Sequence, residues 1–281
     1  MIQNKTQHYF GSIIIAPFFI ISLAVHQLAY AAEDTGKDSK PSIASIIGDD
    51  YSAFYSHDRL VRLGIAFGIG GIAANTNIDM SIRNGYQDKV RNAQTNSWSS
   101  NKETRLSFNA KFFGEGKYMV PVALLAASVN LMDTDTAIGS WGANTSRAYI
   151  VGLPPMWAMQ WVTGAARPGE SDTGSAWRPI NIQDGHGVSG HSFVGAVPFL
   201  TIAYMNPDNA YIKYPAYLLS AAAGWSRIND DDHFPSQVVL GWYMAYEAVD
   251  AVFENNQKKK GIAVTPMVGI DGFGLMARAS W

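Results

Sequence analysis

Three short segments hold residue types suited to gripping and transferring an anionic group. They are Gln160 to Pro168, Val188 to His191, and Ser226 to Gln237. A transferring phosphoryl group spreads negative charge over its equatorial oxygens, and fixed guanidinium groups and backbone N–H donors stabilise that charge without reorganising. Arg167 and Arg227 suit that role. The Ser189 hydroxyl and the Gly190 N–H, at the start of a helix entered through His191, add helix N-terminal donors, and a glycine there lets backbone approach closely. Two imidazoles, His191 and His233, can divide acid–base and nucleophilic work near neutrality. Singly, each segment has an ordinary explanation: a helix stop at Arg167-Pro168, a helix cap at Ser189, a surface Ser-Arg pair. Their order and spacing favour the joint reading.

In that order and spacing the chain resembles the type 2 phosphatidic acid phosphatase and vanadium haloperoxidase superfamily. The family pattern is Lys, six residues, Arg-Pro; then Pro-Ser-Gly-His; then Ser-Arg, five residues, His, three residues, Asp. Here Arg167-Pro168, Ser189-Gly190-His191, Ser226-Arg227 and His233 match, while Gln160 stands at the Lys position, Val188 at the Pro position and Gln237 at the Asp position. The resemblance implies that His233 attacks phosphorus to form a phosphohistidine and that His191 protonates the leaving oxygen. It implies that Arg167, Ser189, Gly190 and Arg227 hold the phosphate, with Gln160 in the place of a cation and Gln237 in the place of the carboxylate that orients His233. No metal and no cofactor enter that mechanism.

The two glutamines set the open questions. Gln160 offers an amide where the family has a charge, so either substrate affinity falls or another cation substitutes, with Arg178 and Arg147 as candidates. An amide at Gln237 can accept from the His233 ring but carries no charge, and the analogous loss in a serine-protease triad costs about 10⁴ in rate. The acidic run Asp230-Asp231-Asp232 is read as a solvated face rather than a substitute carboxylate. His186 is read as a loop histidine without a catalytic duty. The reading is a metal-independent phosphatase acting on a phosphomonoester or pyrophosphate, with a phosphate ester or phospholipid as partner. The alternatives are a catalytically silent phosphate- or phospholipid-binding protein and a vanadate-dependent haloperoxidase.

Such residues need a scaffold of packed helices. Apolar helical segments are expected at Leu60 to Ala74, Tyr118 to Leu131, Arg147 to Thr163 with Thr145 or Ser146 as cap, Ser192 to Tyr204, Ala216 to Trp225, and Gln237 to Phe253. Gly68, Gly70 and Gly71 suggest close packing of the first. Residues 75 to 116 read as polar and irregular, with a solvated helix around Asp79 to Ala93. Two apolar stretches flank Asp271-Gly272, a favoured hairpin turn. The expected fold is therefore all-α, a compact helical bundle of the kind the resemblance implies, with room for a C-terminal β-hairpin. The uncharged stretch at Ala148 to Ala166 is interrupted by Pro154, Pro155 and Gln160, and is read as a buried helix rather than a membrane span. Peripheral membrane contact stays open.

The 281 residues carry a net charge of -2 and only 16% charged side chains. That balance gives no broad basic field and argues against nucleic-acid binding. With no cysteine, disulfides, thiol catalysis and cysteine-ligated metal are excluded. Lys5, an apolar stretch from Phe10 to Val25, and Ala29-Tyr30-Ala31 have the grammar of a signal peptide, with cleavage expected after Ala31 and an exported, periplasmic or outer-side membrane location. The organisation expected is a leader over 1–31, a polar lead-in over 32–50, a helical domain over 51–253, and a linker with the hairpin over 254–281.

Overall fold

The computed structural model describes residues 42–91, 105–132, 136–170, 174–180, 185–259, 263–269 and 272–278. The expected leader lies outside them. The chain falls into two units, Met1–Asp49 and Asp50–Trp281. Of the first, residues 42–49 are described. They form the opening of helix α1 (Ile43–Phe54), where the Ser42 hydroxyl accepts the Ser45 N–H at 3.1 Å. Helix thus begins inside the stretch read as a polar lead-in.

The second unit continues with α2 (His57–Ala74), α3 (Ile78–Tyr86) and a π-turn over Gln87–Arg91. It goes on through α4 (Arg105–Phe112), α5 (Gly116–Ser128) and α6 (Ala137–Thr163). Then come α7 (Gly190–Met205), α8 (Ala210–Ser220), α9 (Ala222–Asn229) and α10 (Pro235–Lys259). Strands β1 (Ala263–Gly269) and β2 (Gly272–Arg278) pair antiparallel. The fold is all-α with a terminal hairpin, as the patterning implied. The hairpin register pairs Gly269 with Gly272, so Gly272, expected in the turn, stands in β2, while Asp271 lies outside the described residues.

Helix α7 lies at the centre. Ser192 to Pro198 are all buried, and α6, α8, α9 and α10 pack around the helix, the pattern of one that is apolar on every side. Phe193, Val197 and Leu200 meet Tyr149, Val151 and Met156 of α6 and Leu240, Met244 and Val252 of α10 in one core. Each fully buried side chain of this size contributes roughly 1.5–3 kcal/mol of transfer free energy. The Tyr149 hydroxyl, deep in that core, donates to the Val194 carbonyl at 2.8 Å, so its polar tip is satisfied. Among the described residues no helix is long and apolar enough to cross a membrane.

Several local expectations are corrected. Helix α6 starts at Ala137, ten residues before the expected Arg147, because Thr136 caps it by accepting the Gly139 N–H at 3.0 Å; Thr145 and Ser146 are buried within the helix. The Ala216 to Trp225 segment is two helices that meet at Ala221. Helix α10 runs to Lys259, through the polar residues that follow Phe253. In the stretch read as polar and irregular, α3 falls where a helix around Asp79 to Ala93 was expected, but α4 was not foreseen, and the stretch is not simply solvated, since it buries Asp79 and Arg91. Asp79 accepts the Ser236 N–H at 2.9 Å together with the Ser236 hydroxyl, and Arg91 donates to the Asn229 carbonyl at 2.9 Å. Polar residues can be interior when each finds a partner, and periodicity alone cannot reveal that.

The α2 glycines are met by side chains rather than by another backbone: a Cβ on Gly70 would lie 2.7 Å from Leu240 of α10, and Gly68 faces open space. Beside the candidate site, a Cβ on Gly241 of α10 would run into the Ser189 carbonyl oxygen. Gly241→Ala must therefore push α10 from the start of α7 and is expected to cost about 1–3 kcal/mol, the range for overpacking. Gly68→Ala gains helix propensity in open space and is expected to be neutral or to stabilise by about 0.5–1 kcal/mol. Denaturant unfolding of the two variants beside wild type measures both.

Candidate active site

The structure gathers the three sequence segments at one place, and Gln237 joins them through its side chain and its main-chain carbonyl. Gln237 stands on the first turn of α10 and is fully buried. Its Oε1 accepts from His233 Nδ1 at 2.8 Å and from the Phe234 N–H at 3.1 Å. Its Nε2 donates to the Ala166 carbonyl at 2.8 Å, one residue before Arg167. Its own carbonyl accepts the Ser189 N–H at 2.9 Å.

These partners also settle which way the amide points. The Phe234 N–H can only donate and the Ala166 carbonyl can only accept, so Oε1 and Nε2 have one consistent assignment. His233 Nδ1, facing Oε1, must then carry the hydrogen. In the neutral ring that leaves Nε2 with its lone pair, the form a nucleophile needs. The wrong-tautomer arrangement that an amide at this position allows in principle is not the one adopted.

Ser189 is the N-cap of α7, with its hydroxyl accepting the Ser192 N–H at 3.4 Å, and is completely buried. The α7 N-terminus beyond it presents Gly190 and His191, both half-buried. A Cβ on Gly190 would meet nothing nearer than Gln160 Nε2 at 3.6 Å, so the close approach expected there is not forced by the protein's own packing. Gln160, at the end of α6, donates to the Val188 carbonyl at 2.7 Å. Its amide thus ties α6 to the residue that precedes the cap. Gly164, in the left-handed conformation at φ 58°, ends α6 and turns the chain towards Arg167.

Arg227 lies buried on α9, paired with Asp232, and its carbonyl accepts the N–H groups of Asp232 at 2.9 Å and His233 at 3.2 Å. The three consecutive aspartates are not a solvated run. Asp230 faces Arg91 at 3.6 Å, Asp231 takes Arg83 in a two-pronged pair, and Asp232 takes Arg227. Each pins a different part of the chain to the loop that carries His233. Of the substitute cations, Arg147 is held by Asp50 at 2.6 Å and by Asn256 at 2.7 Å, an arrangement separate from the histidines. Arg178 donates its backbone N–H to the Thr163 carbonyl at 3.0 Å, beside the Gln160 end of α6.

Electrostatics follow from this packing. Burial pushes the His233 ring well below its ordinary pKa, and the Arg167 guanidinium, His186 and Arg227 push in the same direction, with the Gln237 hydrogen bond opposing. His191 is lowered too, chiefly by burial and then by Arg227, with Glu115 opposing. Arg227 therefore acts on both rings. His186, read from sequence as a bystander, has its ring centroid 6.4 Å from that of His233, and its Nε2 lies 3.8 Å from Glu170, whose carboxylate also accepts the Arg167 N–H at 3.0 Å. Sequence reading missed Glu170 and Glu115 because neither has a motif. It missed the Ala166 and Val188 carbonyls because main-chain partners leave no residue-type signal.

Both rings take up a proton at lower pH in the folded protein than the imidazoles of the unfolded chain, which do so near about 6.5. The unfolded state thus binds more protons as pH falls, and stability declines from about pH 6.5 downward, through the lowered folded pKa. The thermal midpoint is expected to fall between about pH 7.5 and 5.5, with a smaller fall in His233→Asn. Equal slopes in the two proteins would contradict this account.

Residues 146–260 match the PAP2 superfamily. Among solved structures, the chain is similar to the crystal structure of the first transmembrane PAP2 type phosphatidylglycerolphosphate phosphatase from Bacillus subtilis, at 16% identity and a TM-score of 0.52, covering 70% of this chain and 96% of that one. At that identity the likeness is one of fold. No curated protein sequence matches the chain. The stretch from α6 to α10 holds Gln160, Arg167, the α7 cap, Arg227, His233 and Gln237 together, and it is this stretch that is similar to the PAP2 superfamily.

Proposed function

We propose that the protein is a metal-independent phosphatase that cleaves a phosphomonoester or pyrophosphate through a phosphohistidine on His233. The observation that carries the proposal is the oriented Gln237 amide, which places the hydrogen on Nδ1 and frees Nε2. In the first step Nε2 forms a bond to phosphorus as the bond to the leaving oxygen breaks, and His191 delivers a proton to that oxygen. In the second, water attacks phosphorus, the N–P bond breaks, and His191 takes the proton from water. Arg167 and Arg227 would hold the charge on the equatorial oxygens throughout, helped by the N–H groups at the start of α7. The family and the shared fold support a phosphatase chemistry of this kind.

A lipid-linked substrate at a membrane surface is the favoured class. Large apolar side chains stand exposed on α2 (Ile65, Ile69, Ile72), on α5 (Val122, Leu125) and on α8 (Tyr211, Leu218), more than packing inside this chain accounts for. A second reading, phosphate or phospholipid binding without turnover, is favoured by one observation. The partner of His233 Nδ1 is an uncharged amide where a carboxylate would stabilise the ring's positive form.

Wild type is expected to release phosphate from a generic phosphomonoester and from short-chain phosphatidic acid in detergent, in the presence of chelator, with inhibition by vanadate. His233→Ala is expected to lose at least a factor of about 10². Acid quench should trap ³²P on wild type, and saturable binding without trapped label would select the second reading. Gln237→Glu keeps the length and both accepted hydrogen bonds while adding charge. It is expected to raise kcat at neutral pH, whereas Gln237→Asp, one methylene too short to keep the same span, is expected to gain nothing on its own. Equal or lower kcat in the Glu variant would show that the lost bond to the Ala166 carbonyl outweighs the added charge.

A further inference from the structure

Glu115 occupies the N-cap position of α5, with an extended backbone (φ -80°, ψ 99°), yet its side chain makes no capping hydrogen bond. A carboxylate at a helix start ordinarily turns back to the free N–H groups and favours the positive end of the helix dipole. This one reaches across to α7 instead, where its Oε1 lies 3.4 Å from His191 Nε2. Its other oxygen faces Lys117 Nζ at 3.7 Å.

The backbone is built for that reach. A Cβ on Gly114 would lie 2.7 Å from the His191 carbonyl oxygen and 2.9 Å from the His191 Cβ, so only glycine lets the α4–α5 turn sit on the first turn of α7. The groups that bear on the ring from the elements around it are Lys111 of α4, Glu115 of the turn and Arg227 of α9. On the α6 side, the uncharged Gln160 and Met156 lie beside Gly190, the residue before His191. Among the described residues, Glu115 is therefore the carboxylate that bears on His191.

We infer that Glu115 is a positioning residue for His191: it holds the hydrogen on Nε2, so that proton transfer with the leaving oxygen and with water runs through Nδ1. This rests on the phosphatase reading above. An ionised carboxylate only accepts, so Nε2 facing it must be the N–H nitrogen in both protonation states. Nδ1–H then gives its proton as the bond from phosphorus to the leaving oxygen breaks. In the second step Nδ1 takes a proton from water as the new P–O bond forms and the N–P bond breaks. Lys111, Arg227 and burial all disfavour the charged ring, and Glu115 opposes them. The site lacks the family's carboxylate beside the nucleophile but has one beside the acid.

The test compares wild type with Glu115→Gln, which keeps shape and removes charge. Imidazole ¹⁵N spectra across pH should show His191 in the Nε2–H form in wild type, and a lower His191 pKa in the variant with the His233 signals unmoved. In turnover, the variant is expected to lose kcat by about 10²-fold on an alkyl phosphate, where the leaving oxygen needs a proton. On 4-nitrophenyl phosphate, whose leaving group does not, the loss should be under about threefold, with KM little changed on either. The basic limb of its kcat profile should move to lower pH. Unchanged His191 tautomer and pKa, or equal losses on both substrates with an unmoved profile, would overturn the inference. Failure of wild type to turn over any phosphate ester would sink the phosphatase reading instead, and the spectra would still decide the Glu115–His191 coupling.

Discussion

The Gln237 amide has no solvent to fall back on, so each of its hydrogen bonds must be made within the protein. A buried amide group left unmatched costs about 1–3 kcal/mol, comparable to a sizeable fraction of a domain's net stability. Gln237 avoids that cost by accepting twice and donating once, with a ring, a main-chain N–H and a main-chain carbonyl as its partners. Its backbone carbonyl adds the Ser189 link. Everything else in the site is placed relative to this residue: Arg167 through Ala166, the α7 N-terminus through Ser189, and the nucleophile candidate directly. Asp79 of α3 holds the same end of α10 through Ser236, so the first turn of α10 is fixed from outside as well.

A chain with few charges has placed many of them in pairs under its surface. Arg59 is almost fully buried and faces Glu247, Asp250 and Glu254, while Arg62 takes both oxygens of Glu247. Asp50 gathers Arg147 and Asn255. Pairs of this kind add little net stability against an apolar alternative, but removing one partner is costly, so they fix which helix faces meet. The same logic holds near the histidines, where three adjacent aspartates each take a different arginine. The loop between α9 and α10 is thereby tied at Arg83, Arg91 and Arg227.

The candidate site residues could be singled out because their types and order are unusual in combination, and helix α2 and most of α7 were legible from apolar pattern. What failed to show has physical reasons. The start of α6 depended on one threonine cap preceding a stretch of small and polar residues, and the break at Ala221 lies inside an unbroken apolar run. The aspartate run looked solvated because its partners are distant in sequence: Arg83 is 148 positions from Asp231. Glu115 lies 76 positions from His191 and was invisible for the same reason. The role of Gln237 could be posed from sequence, as an amide that either orients or misorients the ring. Only the identity of its other two partners decides between them.

The fixed polarity of the Gln237 amide bears on how this site could have diverged from relatives with aspartate there. Aspartate has no hydrogen to give the Ala166 carbonyl and is too short to keep the same span. An exchange between the two residues therefore cannot be a single independent substitution. It requires a compensating change in the segment after Gly164, either a new donor for that carbonyl or a path that exposes it to water. Position 237 and the chain from Ala165 to Arg167 form one epistatic unit, and ancestral or designed variants would have to cross between the two solutions by moving both together.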